Sequence, residues 1–280
     1  MDMFKTKIFS KVKRSILFLL SHIPNKFVGE LLLFTNKILG RGLIFTLKDE
    51  VKAIRNIVLL LKPESFVFLD IGANIGNYSL ELKNYFSNHK IIAFEPSPAT
   101  FEKLLVNVGK KSGIICVNSA LSDFSGTSEL FFNEPLSGLA SLSKRDLSRF
   151  GISFNQSERV KVQTLENYLI HNQLHGPFIL KVDVEGHELK VLNGCVSLLT
   201  KQIALIQFEF GGTNLDSRTF YLDFYNFFDS TNFLLYRLKP NGAYLINRYD
   251  ELDELPLNST YYALNKNFLA RNQIPKLIRS

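Results

Sequence analysis

Several features that define large protein classes are missing from this 280-residue chain. It has no apolar run of about 18 residues, so no membrane-spanning helix is predicted. Its two cysteines, Cys116 and Cys195, show no CxxC or Cys/His spacing, which excludes a zinc motif and predicts buried free thiols in a reducing compartment. Glycine and proline are few, at 16 and 9 residues, and 46% of the residues are hydrophobic. This composition excludes a disordered or fibrous chain.

The positive charge of the chain lies at its two ends. Residues 1–62 carry 12 Lys/Arg against 4 Asp/Glu (+8), residues 63–260 carry 17 against 22 (−5), and residues 261–280 carry 4 against none (+4), which together give the net charge of +7. A nucleic-acid enzyme concentrates positive charge around the site that binds phosphate. The charge distribution therefore argues against a nucleic-acid partner.

The first 62 residues are predicted to form a basic helical extension in front of a single domain over residues 63–280. Near the start, apolar residues recur at three- and four-residue spacing with lysines between them, which predicts an amphipathic helix. Such a helix either docks on the domain or attaches to an anionic membrane surface. The apolar positions are Phe4, Ile8, Val12, Ile16, Leu19, Leu20 and Ile23.

A signal peptide is not predicted at this start. The apolar run Ile16–Leu20 is short, and no small-residue cleavage site follows it. We therefore expect the protein in the cytoplasm, either free or peripheral to the inner face of the membrane.

From residue 65 onward, short apolar runs alternate with helical patterns, which predicts βα units and a parallel sheet. The runs are almost continuously apolar, as in strands that are covered on both faces. The predicted strands are Phe66–Asp70, Ile91–Glu95, Gly113–Ser119, Phe178–Asp183 and Ala204–Glu209, and the predicted helices are Asn77–Phe86, Pro98–Lys110, Glu185–Leu199 and Thr219–Asp229.

Two segments break this alternation. Residues 122–164 form a long insert with two strand-like runs, Glu129–Phe132 and Arg159–Leu165, separated by the small-residue stretch SGLASLS and a charged run, KRDLSR. An insert of this length near the carboxyl edge of a sheet is a candidate lid over an acceptor. Further along, two strand-like runs flank Pro240–Gly242, which predicts a β-hairpin.

A glycine-containing turn follows the first predicted strand. In FVFLDIGANIGNYSL the strand ends at Asp70, and Gly72 and Gly76 bracket a tight turn that opens a helix. The next strand delivers Glu95, where a carboxylate can accept hydrogen bonds from the ribose hydroxyls of an adenosine-containing cofactor. The turn has neither the GxGxxG pattern of dinucleotide-binding proteins nor the GK[ST] of a phosphate-binding loop, and no GxSxG of a hydrolase occurs.

Five motifs occur in a fixed order along the chain: DIGANIGNYSL, AFEPSPATFEKLLVNV, NSALSD, VQTLENYL and LKVDVEGHELKVLNG. Together they resemble the FkbM family of S-adenosylmethionine-dependent methyltransferases over about residues 66–209. The resemblance implies an α/β fold of the class I methyltransferase type. This is a doubly wound, mostly parallel, Rossmann-like sheet of seven strands whose seventh strand runs antiparallel, here preceded by the helical extension.

The resemblance also implies a cofactor, S-adenosylmethionine, and the residues that contact it. The turn after the first strand would line the methionine and ribose part, Glu95 would hold the ribose hydroxyls, and the end of the third strand would pass beside the adenine. The implied residues are Asp70, Gly72, Ala73, Asn74 and Gly76 for the turn, and Ala120, Leu121 and Ser122 for the third strand.

The segment LKVDVEGHE supplies the catalytic candidates. Methyl transfer depends mainly on positioning the acceptor, and a hydroxyl acceptor benefits from a base. Asp183, delivered to the carboxyl edge next to Asp70, is the first candidate for orienting or deprotonating that hydroxyl, with Glu185 and His187 as alternatives. Lys181 is expected to pair with a nearby acid. No metal is predicted, because a helix beginning near Glu185 would make these side chains diverge.

The sequence therefore predicts an S-adenosylmethionine-dependent O-methyltransferase that acts on a hydroxyl of a sugar, a glycan or another small molecule. Two alternatives stay open. One is an NAD-dependent oxidoreductase of the Rossmann type, which shares the sheet and the ribose-binding acid. The other is a non-catalytic scaffold at a membrane surface, suggested by the basic start of the chain. The sequence determines neither the acceptor nor the oligomeric state.

Overall fold

The computed structural model describes residues 18, 21, 23–42, 45–62, 65–109, 113–270 and 277–279. Its helices are α1 (Asn25–Ile38), α2 (Leu47–Val58), α3 (Asn77–Tyr85), α4 (Pro98–Val108), α5 (Leu165–His171), α6 (Glu188–Asn193), α7 (Gly212–Asp216) and α8 (Tyr221–Asp229). Its strands are β1 (Val67–Ile71), β2 (Lys90–Phe94), β3 (Ile114–Val117), β4 (Ala120–Leu121), β5 (Gly126–Phe132), β6 (Gln156–Gln163), β7 (Phe178–Val182), β8 (Ile203–Phe210), β9 (Phe233–Lys239), β10 (Gly242–Leu245), β11 (Ser259–Asn265) and β12 (Leu277–Arg279).

Within the described residues, nine strands form one sheet in the order β12-β10-β9-β11-β8-β7-β1-β2-β3. Strands β8, β7, β1, β2 and β3 are parallel to one another. The pairings from β8 through β11, β9 and β10 to β12 are antiparallel. The α/β architecture agrees with the expectation, but the sheet has nine strands rather than seven and is mixed rather than mostly parallel. The two extra strands, β10 and β12, extend the antiparallel edge.

The hairpin predicted near the C-terminus forms between β9 and β10, with Lys239 opposite Gly242. However, the strand that joins the antiparallel part to the parallel part is β11, which lies between β8 and β9 and is antiparallel to both. Every residue of β11 is buried. Its sequence, STYYALN, includes the buried polar residues Ser259, Thr260 and Asn265, so it lacks the continuous apolar run that predicted the other buried strands.

The two faces of the large sheet are covered by different helices. One face packs against α5, α6 and α8, with Val191 and Phe224 buried in its core. The other packs against α2 and α3, with Ile54 in its core. Helix α2 begins at a capping box in which Thr46 and Asp49 bond each other's backbone N–H groups. Helix α2 thus shares a core with the sheet, and the division of the chain at residue 62 stays a prediction.

The insert forms a second, three-stranded sheet in the order β4-β6-β5. Strands β5 and β6 are antiparallel, which confirms the two strands expected there. The predicted third strand is shorter than expected, because only Ile114–Val117 pairs with β2. Ala120 and Leu121, which were placed at its end, instead form β4 and pair with β6 of the insert.

The helix predicted over Glu185–Leu199 is also shorter. Glu185 and Gly186 have φ angles of 55° and 93°, in the left-handed region, so a right-handed helix cannot begin there. Helix α6 begins at Glu188, and a separate 3₁₀ turn follows at Val196–Leu198.

The amphipathic helix predicted from Phe4 onward lies outside the described residues, except for Phe18, Ser21 and its last apolar position, Ile23. None of the helices among the described residues combines the length with the apolar character that a membrane span requires. Both cysteines are free thiols; Cys195 is buried and Cys116 is half-buried.

Candidate active site

A cleft lies at the carboxyl edge of the parallel strands, where β1, β2 and β7 end. The space inside it, including the part that is open to solvent, is about 570 Å³. The loops after the strands form one wall, and the insert forms the other. Among the lining residues are Gly72, Glu95 and Asp183 from the strand ends and Ser137, Gly138 and Ser141 from the insert.

Glu95 follows β2 and lines the cleft, although most of its side chain is buried. Its two carboxylate oxygens accept hydrogen bonds from the backbone N–H groups of Asn74 and Ser97, both at 3.0 Å. Burial raises the pKa of Glu95 to about 7, although the two N–H donors oppose this shift. Near neutral pH this carboxyl group therefore exists in both protonation states, and each ionised oxygen keeps a lone pair for a further donor.

A buried group of charges lies beside the cleft. The register of β1 and β7 pairs Asp70 with Lys181, whose Nζ lies 3.7 Å from Asp70 Oδ1 and 2.9 Å from Asp183 Oδ2. Asp70 is fully buried, and its Oδ2 accepts a hydrogen bond from Ser79. Burial disfavours the charge on Lys181, but Asp183 and Asp70 outweigh it and raise the Lys181 pKa. Lys181 therefore stays charged and fixes Asp183, which confirms the predicted pairing with an acid.

The glycines of the turn allow segments of the fold to pack closely. Gly72 and Gly76 have φ angles of +83° and +91°, which side-chain-bearing residues rarely adopt. A Cβ at Gly72 would overlap the carbonyl oxygen of Asp183, and one at Gly76 would overlap the side chain of Leu104 on α4. Gly72 thus lets the loops after β1 and β7 meet, and this contact sets the position of Asp183.

Arg145 attaches the insert to the edge of the sheet. Its buried guanidinium lies 3.2 Å from Glu185 and 2.9 Å from Asp216. Ser141 adds a hydrogen bond of 2.9 Å from its hydroxyl to the backbone carbonyl of Glu185. Burial, and then the charge of Asp183, raise the pKa of Glu185 to about 8 against the opposing effect of Arg145. Sequence reasoning missed Arg145, because nothing in KRDLSR marks one residue as buried.

His187 contacts the start of the insert. Its Nε2 lies 2.9 Å from the hydroxyl of Ser122, which is itself fully buried. Burial lowers the pKa of His187 to about 4, although Asp123 favours the charged form. The imidazole is therefore neutral at physiological pH and stays available as a hydrogen-bond partner in either tautomer.

Glu188 organises the loop that carries these side chains. It is buried, and its Oε1 accepts hydrogen bonds of 3.1 Å from the backbone N–H groups of Val184 and Gly186. Its Oε2 accepts one from Asn214 at the start of α7. Among the described residues, no three His, Cys, Asp or Glu side chains are grouped in a way that could hold a metal ion.

The comparison with protein families identifies this site. The model described as "Methyltransferase FkbM domain" matches residues 70–238, which is more than half of the chain and includes every side chain of the cleft described above. The chain belongs to the FkbM methyltransferase family. The cofactor of this family is S-adenosylmethionine.

Two relatives of this FkbM-family chain are named as methyltransferases. The chain is 32% identical over 154 residues to the hexuronic acid methyltransferase AglP of Haloferax volcanii, and the match covers 55% of this chain and 59% of that protein. It is 26% identical over 162 residues to the 2-O-methyltransferase NoeI of Sinorhizobium fredii, covering 55% and 67%. The chain thus spans about three fifths of the first relative's length.

Solved structures similar to this chain include M. capricolum TrmK in complex with S-adenosyl-homocysteine. The TM-score is 0.42 at 11% identity, with coverage of 79% of this chain and 70% of that one. Another is the precorrin-6y C5,15-methyltransferase of Geobacter metallireducens, with a TM-score of 0.41 at 14% identity and coverage of 78% and 89%.

The residues of the cleft fit the family cofactor. Glu95 offers carboxylate oxygens to a ribose diol, while Phe94, Leu121 and Leu130 line the cleft with apolar surface suited to an adenine ring. Acceptor groups beside apolar side chains are the combination that an adenosine moiety needs. These residues would hold S-adenosylmethionine at the ends of β1 and β2.

The structure brings together most of the side chains that the sequence singled out. The predicted residues that line the cleft are Gly72, Asn74, Glu95, Ala120, Leu121, Asp183, Glu185 and His187. Asp70, Ala73, Gly76 and Ser122 do not line it. Individual assignments to cofactor binding or catalysis stay predictions. Ser137, Gly138 and Ser141 also line the cleft, but the sequence analysis did not predict them as site residues. All three belong to the small-residue stretch SGLASLS, which is the sequence feature that could have indicated them.

Proposed function

We propose that this protein is an S-adenosylmethionine-dependent O-methyltransferase that acts on a hydroxyl of a sugar, a glycan or another small molecule. The observation that carries the proposal is the presence of two carboxyl groups, Asp183 and Glu185, in the same cleft as Glu95. The names of two relatives, a hexuronic acid methyltransferase and a 2-O-methyltransferase, support a sugar hydroxyl as the acceptor.

The bound cofactor supplies a methyl group already activated as a sulfonium. What the protein must add is orientation of the acceptor hydroxyl and a group that takes its proton. Asp183 suits this task, because Lys181 fixes one carboxylate oxygen at 2.9 Å while a third of the side chain stays exposed at the cleft. We propose that Asp183 accepts a hydrogen bond from the acceptor hydroxyl and removes its proton.

Glu185 and His187 are the alternative bases, and their environments give them different pH signatures. Glu185, with its pKa raised to about 8, becomes a base only as the pH approaches 8. His187, with its pKa lowered to about 4, is neutral across the physiological range and would give no inflection near 6.5. A pH profile of turnover therefore distinguishes these two residues.

The test measures transfer of labelled methyl from S-adenosylmethionine to a panel of hexuronic acids and hexose oligosaccharides. With an accepted sugar, Asp183→Asn should lower kcat by about 10²–10⁴-fold while the Kd for S-adenosylhomocysteine stays within about two-fold. Asp229→Asn, a matched change at an exposed position on α8, should leave kcat unchanged. Undiminished turnover in Asp183→Asn would remove Asp183 from the mechanism, and a sharp rise of wild-type turnover towards pH 8 that Glu185→Gln abolishes would assign the base to Glu185.

A further inference from the structure

Helix α1 exposes an unusual amount of apolar surface. Phe27, Leu31, Phe34 and Ile38 are 59%, 54%, 62% and 53% exposed, and their four-, three- and four-residue spacing aligns them along one side of the helix. Further exposed apolar residues of this helix and its end are Val28, Leu32, Leu33 and Leu39. The only buried residue in α1 is Asn36. An apolar surface of this extent on a soluble domain marks a contact site.

Basic residues accompany the apolar side of α1. Lys26 and Lys37 are eleven residues apart, close to three full turns, so they lie on the same side of the helix, next to the apolar row. The exposed Glu30 lies on this side too, so α1 itself contributes a net charge of +1. The 24 residues before α1 carry five Lys/Arg and one Asp. An apolar row flanked by lysines is the pattern of a helix that lies in the interface between water and anionic lipid.

The charge also argues against a second copy of this chain as the occupant. In a two-fold symmetric dimer, each copy contacts the other through the same surface. That contact would bring together two N-terminal segments, each with 12 Lys/Arg against 4 Asp/Glu over residues 1–62. An anionic lipid surface instead complements this charge.

The segment that follows α1 is bonded to residues near the edge of the large sheet at which the cleft lies. Arg41 pairs with buried Asp253 at 2.8 Å, and the N–H of Gly42 donates to the carbonyl of Asn258 at 2.7 Å. Asn258 immediately precedes β11, whose first residue, Ser259, pairs with Phe210 at the carboxyl end of β8. A helix held in this way would transmit its attachment to the domain that carries the cleft.

We propose that α1 docks on an anionic lipid surface, burying the row formed by Phe27, Leu31, Phe34 and Ile38 while its lysines face the headgroups. This inference does not depend on the acceptor of the methyl group. The helix lies on the surface rather than crossing it, since it is too short to span the hydrocarbon core.

The test is co-sedimentation of the full chain with vesicles of phosphatidylcholine alone or with about one third phosphatidylglycerol. Wild type should bind the anionic vesicles at least about ten-fold more tightly than the neutral ones, and binding should weaken in about 0.5 M NaCl. The double variant Leu31→Glu/Phe34→Glu should bind at least about ten-fold less. The matched control Val106→Glu/Ile170→Glu changes two even more exposed apolar residues on other helices and should bind like wild type.

Folding of each variant is checked by its thermal unfolding and by its affinity for S-adenosylhomocysteine, neither of which the exposed changes should alter. Equal binding of wild type to neutral and anionic vesicles, or undiminished binding of the double variant, overturns the proposal. A lipid-free dimer in sedimentation velocity that the double variant abolishes, without vesicle binding by wild type, assigns the helix to a second copy instead.

Discussion

Three carboxyl groups around the cleft face different neighbours and therefore differ in chemistry. Glu95 accepts hydrogen bonds from two backbone N–H groups, and Asp183 forms an ion pair with Lys181. Glu185 forms an ion pair with Arg145 and is also affected by the negative charge of Asp183. Burial is the largest cause of the raised pKa of both Glu95 and Glu185. When the surroundings of two carboxyl groups give them different pKa values, one can act as an acid and the other as a base at the same pH.

We expect S-adenosylhomocysteine to bind more weakly as the pH falls from about 8 to about 6. The ionised carboxylate of Glu95 accepts hydrogen bonds from ribose hydroxyls, whereas protonation takes up one acceptor position. With a pKa of about 7, this group is mostly ionised at the higher pH and mostly protonated at the lower, so the Kd should rise about ten-fold. Titration calorimetry at both pH values measures this change.

Two variants complete this experiment. Glu95→Gln should bind more weakly at the higher pH and lose the pH dependence, whereas Glu129→Gln, at an exposed position on β5, should behave like wild type. A wild-type Kd that stays constant over the same range would contradict the assignment of Glu95 to the ribose.

At the scale of elements, the insert is a small sheet attached to the large one by side-chain contacts. Arg145 and Ser141 from its middle reach the loop after β7, and Ser122 from its start reaches His187 on that loop. These contacts bring the small residues of SGLASLS to the cleft wall. The insert thereby forms the cleft wall that faces the catalytic candidates; that it covers the acceptor stays a prediction.

Arg145→Met should lower the free energy of unfolding by about 3 kcal/mol, because it leaves Glu185 and Asp216 without their buried partner. It should also raise the Glu185 pKa further, since Arg145 is the leading influence that lowers it. Urea denaturation measures the first effect. Hydrogen exchange of residues 137–145 should accelerate, because the contact that fixes the insert is lost.

Arg149→Met is the matched control for this element. Arg149 is exposed and lies 3.6 Å from the same Asp216, so its loss should change stability by less than about 1 kcal/mol. Equal effects of the two substitutions would mean that the buried pairs of Arg145 do not hold the insert.

At the scale of the whole molecule, one architecture serves more than one cofactor. Parallel strands followed by a glycine turn and an acid also occur in nicotinamide-dependent oxidoreductases. Here the turn lacks GxGxxG, and the large sheet continues through β11 into an antiparallel half. Family membership and the turn favour S-adenosylmethionine over a dinucleotide.

Binding of S-adenosylhomocysteine at about one hundred times its Kd should stabilise the folded state by about 2.7 kcal/mol, which raises Tm by several degrees. NADH at the same concentration should give no shift. Differential scanning calorimetry on the full chain measures both. A shift with NADH alone would favour the oxidoreductase alternative, and no shift with either ligand would favour the non-catalytic scaffold.

The sequence by itself determined the elements whose signals are local. Strands β1, β2 and β7 are apolar runs; Asp70 is the last but one residue of β1, and Glu95 and Asp183 directly follow β2 and β7. The turn between Gly72 and Gly76 needs the φ angles that glycine permits. Each of these features depends on neighbours within a few residues of chain. They therefore predicted the carboxyl edge of the sheet and the acids that stand on it.

Only the tertiary structure decided how these elements are completed. The insertion of β11 between β8 and β9 depends on which neighbours cover it, and the pairs Arg145–Asp216 and Ser122–His187 join residues 71 and 65 positions apart. The pKa values of Glu95, Glu185 and His187 follow from burial created by such distant segments. A residue's protonation state is a property of its surroundings in space, which the order of residues along the chain does not contain.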